Sequence, residues 1–392
     1  MTRGSKSSAL NILCGVSEHL GVFSIALAMG VCSNLGIHSG VIAAVIVSLF
    51  GAAAKNAALS PTHLVFLVFM LASFEFGRGA ASAALFAAGV MVFLAAFDKR
   101  ERFKSLSNPV VFAGLLLAGA FCMTVMETTL YFGIGSSGGN VVDMMGDYIS
   151  RGFHPNWRGI LYGTITLVIM ITYPRKFKAF SKKLSASFVS VAVTLVLNLA
   201  LNPDARNTAI EEVGYYSLLP GDIFGGAFFN GFCLPGTWRG MLSLLICAAA
   251  MASLMSLSFS NLDARAKPKE RAALAAAALI SAAAGGVPLT FTEKRAKGRA
   301  VGVACALLSA ALFALRPLIS RVPIATLAVI LIVTAWQAVD WRGIGQAIAG
   351  SVFKAAVLML QFVSSITAGV ACTVILTNIF SAVFNKRGGK KI

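Results

Sequence analysis

Charge is scarce in this chain of 392 residues, and acidic charge is scarcest. Only 12% of the residues are charged, with 33 lysine and arginine residues against 15 aspartate and glutamate residues. HExxH and P-loop patterns are absent, so neither of these motifs supports an enzyme. The cysteines form no CxxC pair, and we therefore predict no disulfide framework, no metal site and no cofactor.

The sequence is rich in apolar residues. They account for 57% of the sequence, and the mean hydropathy is +0.81. A bilayer core about 30 Å thick requires roughly 20 apolar residues for each spanning helix. The sequence therefore predicts an all-α integral membrane protein with about a dozen spans, with no room for a soluble domain. The apolar runs cover residues 12–33, 37–54, 62–77, 79–97, 108–134, 157–174, 184–201, 238–260, 272–287, 300–315, 322–339 and 346–384.

The basic residues are grouped in short turns between these runs, near residues 100, 180 and 268 and at both ends of the chain. This is the positive-inside pattern, so we expect both termini in the cytoplasm and anionic lipid as the partner of the basic turns. A bacterial inner (plasma) membrane is the expected location. The same grouping argues against nucleic-acid binding.

Two interrupted segments are the strongest candidates for a binding site. "KNAALSPTH" places Ser60, Thr62 and His63 at the start of a short apolar run, and "GGVPLTFT" places Thr290 and Thr292 at the start of another. A helix N-terminus attracts anions, and interrupted helices in two halves of a transporter indicate its binding site. We predict that two half-helices clamp a small anion here; the alternative is two proline-kinked helices without a ligand.

Ionisable residues within the spans mark further candidates, because a charge inside a membrane is costly. Glu18 and His19 lie in the first span and are about 100° apart on a helix, so they cannot share one face. We consider both as pathway or coupling residues, together with Arg295 in the basic run "EKRAKGR". Glu127 lies near the end of the fifth span, where we expect it to be exposed at the interface.

Several segments resemble the SulP family of anion permeases, in the same order and across nearly the whole chain. "ILCGVSEHLGVFSIALAMG" is similar to the first span of the family, and "SLFGAAAKNAALSPTHLV" to the entry of its third segment. "SNPVVFAGLLLAG" resembles the fifth span, "VGYYSLLP" the linker between halves, and "RVPIATLAVILIVTAWQAVDWR" the twelfth span.

The resemblance implies about 13–14 transmembrane segments in two inverted repeats of seven, with half-helices at segments 3 and 10. A core domain would comprise residues 1–104 (segments 1–4) and 203–317 (segments 8–11). A gate domain would comprise residues 105–202 (segments 5–7) and 318–392 (segments 12–14 and a short basic tail). The family moves small anions such as sulfate, bicarbonate, chloride or dicarboxylates, with or without a coupling ion, commonly as homodimers.

The departures from the family pattern affect the site. Phe259 stands where the family has a glutamate near its site, which argues against the usual proton or sodium symport. The tenth segment is about eight residues shorter than the family's, and the chain ends soon after its last apolar run, so we expect no STAS domain. We predict an elevator-type anion transporter or exchanger that is not an enzyme. The alternatives are a transporter-like membrane scaffold, or a permease for nucleobases or neutral solutes, for which Phe259 and His63 would suit an aromatic ring.

Overall fold

Apolar helices dominate the computed structural model of the chain. The structure describes residues 3–33, 35–53, 57–96, 109–133, 141–151, 155–181, 184–202, 204, 234–262, 268–293 and 299–350, and six positions between 355 and 363. The first half contains α1 (Arg3–Cys32), α2 (Ile37–Ala53), strand β1 (Ala57–Pro61), α3 (His63–Phe76), α4 (Arg78–Ala96), α5 (Pro109–Phe132), α6 (Val141–Arg151), α7 (Trp157–Lys176), α8 (Lys178–Ser181) and α9 (Ala186–Leu201).

The second half repeats this pattern of helices around a single strand. It contains α10 (Trp238–Leu262), α11 (Pro268–Ala283), strand β2 (Leu289–Glu293), α12 (Arg299–Ala314), α13 (Arg316–Ile319), α14 (Ile324–Gln337) and α15 (Trp341–Gly350).

The helices fit a protein that crosses the membrane several times. Among the described residues, four helices contain apolar stretches long enough to span a bilayer, and five shorter apolar helices accompany them. The four stretches are Ile12–Cys32, Arg78–Ala95, Ala113–Phe132 and Trp238–Ser256. The predicted all-α membrane architecture is thus confirmed, and most predicted apolar runs coincide with a helix to within a few residues.

A two-stranded antiparallel ribbon joins the two halves at the centre of the protein. β1 pairs with β2 so that Leu59 lies opposite Phe291 and Ser60 lies opposite Thr290. Alternation of apolar and hydroxyl residues favours a strand, and Leu59 and Leu289 are each only 1% exposed. We expected "VPLTFT" to begin a helix. It forms a strand instead, because pairing with β1 satisfies its backbone groups where no water can.

In each half, one helix packs against the first two helices of the other half. α4 packs against α10 and α11, and α12 packs in the same way against α1 and α2. α12 is therefore the counterpart of α4. Residues 62–77, which include α3, separate β1 from α4, whereas only residues 294–298 separate β2 from α12. Five residues of α-helix would cover only about 7.5 Å, so the second half has no room for a helix as long as α3.

One amphipathic helix was not predicted. α6 follows the fifth span and is too short to cross a bilayer, with Met144 buried against the protein and Asp143 exposed. Predicting helices from long apolar runs does not detect α6, because apolar and polar residues are interspersed along its sequence.

α1 and α2 cross at very short range, and glycine makes the crossing possible. A Cβ atom on Gly40 would overlap the carbonyl oxygen of Ala26, and one on Gly30 would lie 2.6 Å from the carbonyl oxygen of Gly36. These neighbours are backbone atoms, which cannot rotate away. The first helix pair therefore depends on the absence of side chains at both positions.

We expect Gly40→Ala to lower the free energy of unfolding by about 1–3 kcal/mol, the usual cost of overpacking. Gly146→Ala is the matched control, because a Cβ atom there meets nothing within 4 Å. Thermal unfolding in detergent measures both variants. Equal melting temperatures for Gly40→Ala and the wild type would contradict the packing argument.

Candidate functional site

The predicted site residues of the two halves meet along the β1–β2 ribbon. Ser60 and Thr290 are direct partners in the register, and the Thr290 hydroxyl donates to the carbonyl oxygen of Ser60 at 3.4 Å. Thr290 is only 2% exposed. Thr292 lies opposite Ala58 on the same ribbon. The two interrupted segments are thus in contact, although through paired strands rather than through two facing helix ends.

The N-terminus of α3 lies directly after β1 and leaves polar groups unsatisfied. Thr62 is the N-cap residue, with extended backbone angles of φ −130 and ψ 142, but its side chain makes no capping hydrogen bond. The Thr62 hydroxyl is buried and has no hydrogen-bond partner among the described residues. The first backbone N–H groups of a helix also lack acceptors within it. In the described part of the chain, the Thr62 hydroxyl is therefore a buried group without a partner at the N-terminal end of a helix.

His63 connects this helix end to α14. Its Nε2 atom lies 2.7 Å from Oγ1 of Thr334. The Thr334 hydroxyl also lies 2.5 Å from the carbonyl oxygen of Ile330, to which it donates. Since a hydroxyl has one hydrogen, Nε2–H of His63 is the donor to Thr334. The ring is thereby fixed as the Nε2–H tautomer when it is neutral.

α14 also contacts α5 through Trp336. The indole Nε1–H of Trp336 donates to Oγ1 of Thr124 at 2.9 Å, and its ring stacks on Trp341 with a centroid distance of 5.8 Å. Thr124 in turn donates to the carbonyl oxygen of Ala120 at 2.8 Å. One short stretch of α14 therefore binds α3 through Thr334 and α5 through Trp336.

His19 lies in a separate polar cluster between helices. Its Nε2 atom is hydrogen-bonded to Oγ of Ser309 on α12, and Oγ of Ser48 on α2 lies 3.1 Å from its Nδ1 atom. His19 is 5% exposed and Ser309 is fully buried. The cluster connects α1, α2 and α12. Glu18 lies on another face of α1 and is only partly buried.

The structure brings together Ser60, Thr62, His63 and Thr290 but not all the predicted residues. Phe259 lies within α10, and its side chain is outside the described residues, as is that of Thr292. Arg295 lies entirely outside them. Within the described part of the chain, no group of three or more histidine, cysteine, aspartate or glutamate residues could hold a metal ion.

Sequence reasoning missed two features close to this site. Thr334 and Trp336 lie in "LIVTAWQ", a segment that we used only for its resemblance to the family. A polar residue and an indole within an apolar span were the signals that could have identified them.

The expectation that Glu127 is exposed was wrong, because its side chain is 0% exposed.

Solved structures of anion transporters share this arrangement of helices. The chain covers 98% of the transmembrane domain of a cyanobacterium bicarbonate transporter, BicA, over 94% of its own length, with 18% identity and a TM-score of 0.72. It matches SLC26A9 over 96% of its length with 12% identity and a TM-score of 0.70, and covers 65% of that protein. Murine Slc26a9, an anion transporter in the inward-facing state, gives 12% identity, a TM-score of 0.72, and coverage of 95% of this chain and 68% of that one.

The chain has the transmembrane fold of these transporters. No model of a protein family matches the sequence, and the search of curated proteins gives no match. At these identities the similarity establishes the fold, and it confirms the fold that the SulP resemblance implied.

We expect Thr334→Val to lower the free energy of unfolding by about 1–3 kcal/mol, because it leaves the partly buried Nε2–H of His63 without an acceptor. Thr172→Val is the matched control: Thr172 makes the same type of bond, to the carbonyl oxygen of Val168 at 2.7 Å, on an exposed surface. Thermal unfolding in detergent measures both. Identical melting temperatures for the two variants would show that the His63 bond contributes nothing.

Proposed function

We propose that the protein is a secondary transporter of small anions and that the N-terminal end of α3 is its anion-binding site. The observation that carries the proposal is the buried Thr62 hydroxyl at the N-terminal end of α3, which has no hydrogen-bond partner among the described residues. Burying an unsatisfied hydroxyl costs about 1–3 kcal/mol. A ligand that accepts hydrogen bonds would offset this cost.

The chemistry of this point suits an anion. Backbone N–H groups and a hydroxyl are all donors, and the positive end of the helix dipole favours negative charge. The second half has no room for an equivalent of α3, so the ligand would be held mainly from the first half. The paired strands β1 and β2 would form the floor of the site, with Thr290 oriented by its bond to Ser60.

We propose that residues 1–104 and 203–317 form a core and that residues 105–202 and 318–392 form a gate. The hydrogen bond between His63 and Thr334 then crosses the boundary beside the anion. An elevator-type displacement of the core would break this bond and carry the α3 terminus across the gate.

The described functions of proteins with the same fold support the proposal of anion transport. BicA is described as a bicarbonate transporter and Slc26a9 as an anion transporter. We extend anion transport to this chain together with a homodimeric state, a bacterial inner membrane location and cytoplasmic termini. The basic turns that follow the positive-inside pattern support the orientation.

Uptake into proteoliposomes tests the proposal. The purified protein is assayed with radiolabelled chloride, bicarbonate, sulfate, a dicarboxylate and uracil, and we expect saturable uptake of at least one anion. Uptake of uracil alone would favour a nucleobase permease. Failure to move any solute, in protein shown to be folded, would favour a scaffold and overturn the proposal.

The site is tested by substitution of Thr62. Loss of a hydrogen bond to a charged ligand costs about 1.5–3 kcal/mol, so we expect Thr62→Ala to raise KM by roughly tenfold or more. Thr62→Ser keeps the hydroxyl and should remain close to wild type, and Thr172→Ala is the exposed control. Unchanged KM in Thr62→Ala would remove the α3 terminus from the site.

A further inference from the structure

The region where α7, α9 and α14 meet contains several buried polar atoms without hydrogen-bond partners. In the described part of the chain, eight buried side-chain nitrogen or oxygen atoms have no partner, and four of them belong to these three helices. They are Nε of Arg158, the hydroxyl oxygen of Tyr162, Oδ1 of Asn198 and Oγ1 of Thr326. Tyr162 is 3% exposed, Asn198 1% and Thr326 0%. Buried polar groups are normally hydrogen-bonded, so this concentration requires an explanation.

α7 and α9 are antiparallel neighbours in one register. They follow each other along the chain and pack together. Nη1–H of Arg158, at the start of α7, donates to Oδ1 of Asn202, the C-cap residue of α9, at 3.0 Å. Four residues further along α7 is Tyr162, and four residues back along α9 is Asn198. Because residues four apart share a helix face, Tyr162 and Asn198 are brought opposite each other, one turn from this bond.

α14 closes the third side of this region, and it packs on both α7 and α9. Nδ2–H of Asn198 donates to the carbonyl oxygen of Arg321, just before α14, at 2.7 Å. Cγ2 of Val329 on α14 lies 3.4 Å from the position that a Cβ atom would take on Gly163 of α7. Thr326 lies one turn before Val329 and hence on the same side of α14. Its hydroxyl therefore belongs to the same region, and we call Arg158, Tyr162, Asn198 and Thr326 the three-helix junction.

The three-helix junction is separate from the proposed anion site at α3. Thr334, which is hydrogen-bonded to His63, comes eight residues after Thr326, about 12 Å along α14. All four junction residues also lie in the proposed gate, whereas Thr62 lies in the proposed core. A ligand at the junction would therefore be a second one.

Arg158 brings a positive charge to the junction, and within the described residues no carboxylate pairs with it. Its guanidinium donates to Asn202 and lies over the ring of Trp157, with Cζ 5.5 Å from the ring centroid. Arg321 adds a second basic residue close by, and the acidic Asp204 is exposed beyond the end of α9. Trp157 is 63% exposed and Arg158 is partly exposed, so the junction is adjacent to solvent at the start of α7.

The hydrogen-bonding capacity of the four groups defines the ligand. Nε–H of Arg158 is a donor, and the hydroxyls of Tyr162 and Thr326 can donate. Oδ1 of Asn198 can only accept, and the bond from Nδ2 to the carbonyl oxygen of Arg321 fixes this orientation of the amide. A matching ligand carries negative charge, offers several acceptor oxygens and keeps one hydrogen for Asn198. Bicarbonate and hydrogenphosphate meet these conditions, whereas chloride and sulfate have no hydrogen to donate.

We propose that the three-helix junction binds a small oxyanion that retains a hydrogen, of the bicarbonate or hydrogenphosphate class. Its oxygens accept from Nε–H of Arg158 and from the hydroxyls of Tyr162 and Thr326, and its own hydroxyl donates to Oδ1 of Asn198. The bound oxyanion connects three helices and stabilises them against one another. This site goes beyond the proposed transport function and does not require that the α3 terminus bind an anion.

Thermal unfolding in detergent tests the site without transport. Purified protein in saturating chloride, which occupies sites that accept any anion, is titrated with bicarbonate, phosphate or sulfate at constant pH and ionic strength. We expect bicarbonate or phosphate to raise the melting temperature with a saturable dependence on concentration, and sulfate to have no such effect.

Tyr162→Phe should lower the affinity for the oxyanion roughly tenfold or more, because a hydrogen bond to a charged ligand is lost. Without the oxyanion, its melting temperature should equal or exceed that of the wild type, since the substitution removes only an unpaired hydroxyl. Thr326→Val keeps the side-chain size and should weaken binding in the same way. Tyr131→Phe is the matched control: the Tyr131 hydroxyl is bonded to the exposed Thr164 at 3.0 Å, and the affinity should stay at the wild-type value.

Equal affinities in the wild type, Tyr162→Phe and Thr326→Val would overturn the proposal. So would the absence of any shift with bicarbonate or phosphate in folded wild-type protein, since water alone would then satisfy the junction. Native mass spectrometry adds a third outcome. A phospholipid retained by the wild type and lost from Tyr162→Phe would assign the junction to a lipid phosphate and overturn the small oxyanion.

The variant Thr62→Ala separates this site from the proposed transport site. We expect it to keep the shift caused by the oxyanion. Loss of the shift in Thr62→Ala but not in Tyr162→Phe would assign the oxyanion to the α3 terminus and overturn the junction site. Conversely, a shift that is lost in Tyr162→Phe, in protein that moves no anion, supports the junction site while the transport proposal fails.

Discussion

The antiparallel pairing of β1 with β2 is the interaction on which the rest of the structure depends. It is the one place where backbone from the first half hydrogen-bonds in register to backbone from the second, within the part of the chain that the structure describes. Irregular or extended backbone is tolerated at membrane depth only when its polar groups are satisfied by protein. The ribbon meets that condition, and in doing so it fixes where α3 begins and therefore where Thr62 and His63 lie.

The sequence was a good guide to the helices and a poor guide to what interrupts them. Ile37–Ala53 and Ile324–Gln337 form where long apolar runs predicted them, because length and hydropathy determine a span. Leu289–Glu293 was expected to be helical, and its strand partner lies more than 200 positions earlier in the chain, beyond the reach of any local pattern. Ser60, Thr62 and His63 were singled out as candidates because serine, threonine and histidine at an interrupted span are conspicuous.

The burial of Glu127 could not be predicted from the sequence. A glutamate near the end of a span can face water, lipid headgroups or the protein interior, and the linear sequence does not distinguish these cases. Only the packing of the helices around α5, among them α6 and α14, decides for the interior. The same holds for Thr334, since its contact with His63 depends on the angle at which α14 passes α3.

The shared ribbon also constrains how the protein is made. While the ribosome has produced only the first half, β1 has no partner, and its N–H and C=O groups lie unpaired among membrane helices. They are satisfied only after residue 293 has emerged and β2 has been threaded beside β1. Pairings between distant parts of a chain form slowly because a long loop must first be closed. The first four helices therefore remain an incomplete assembly until the second half has been synthesised.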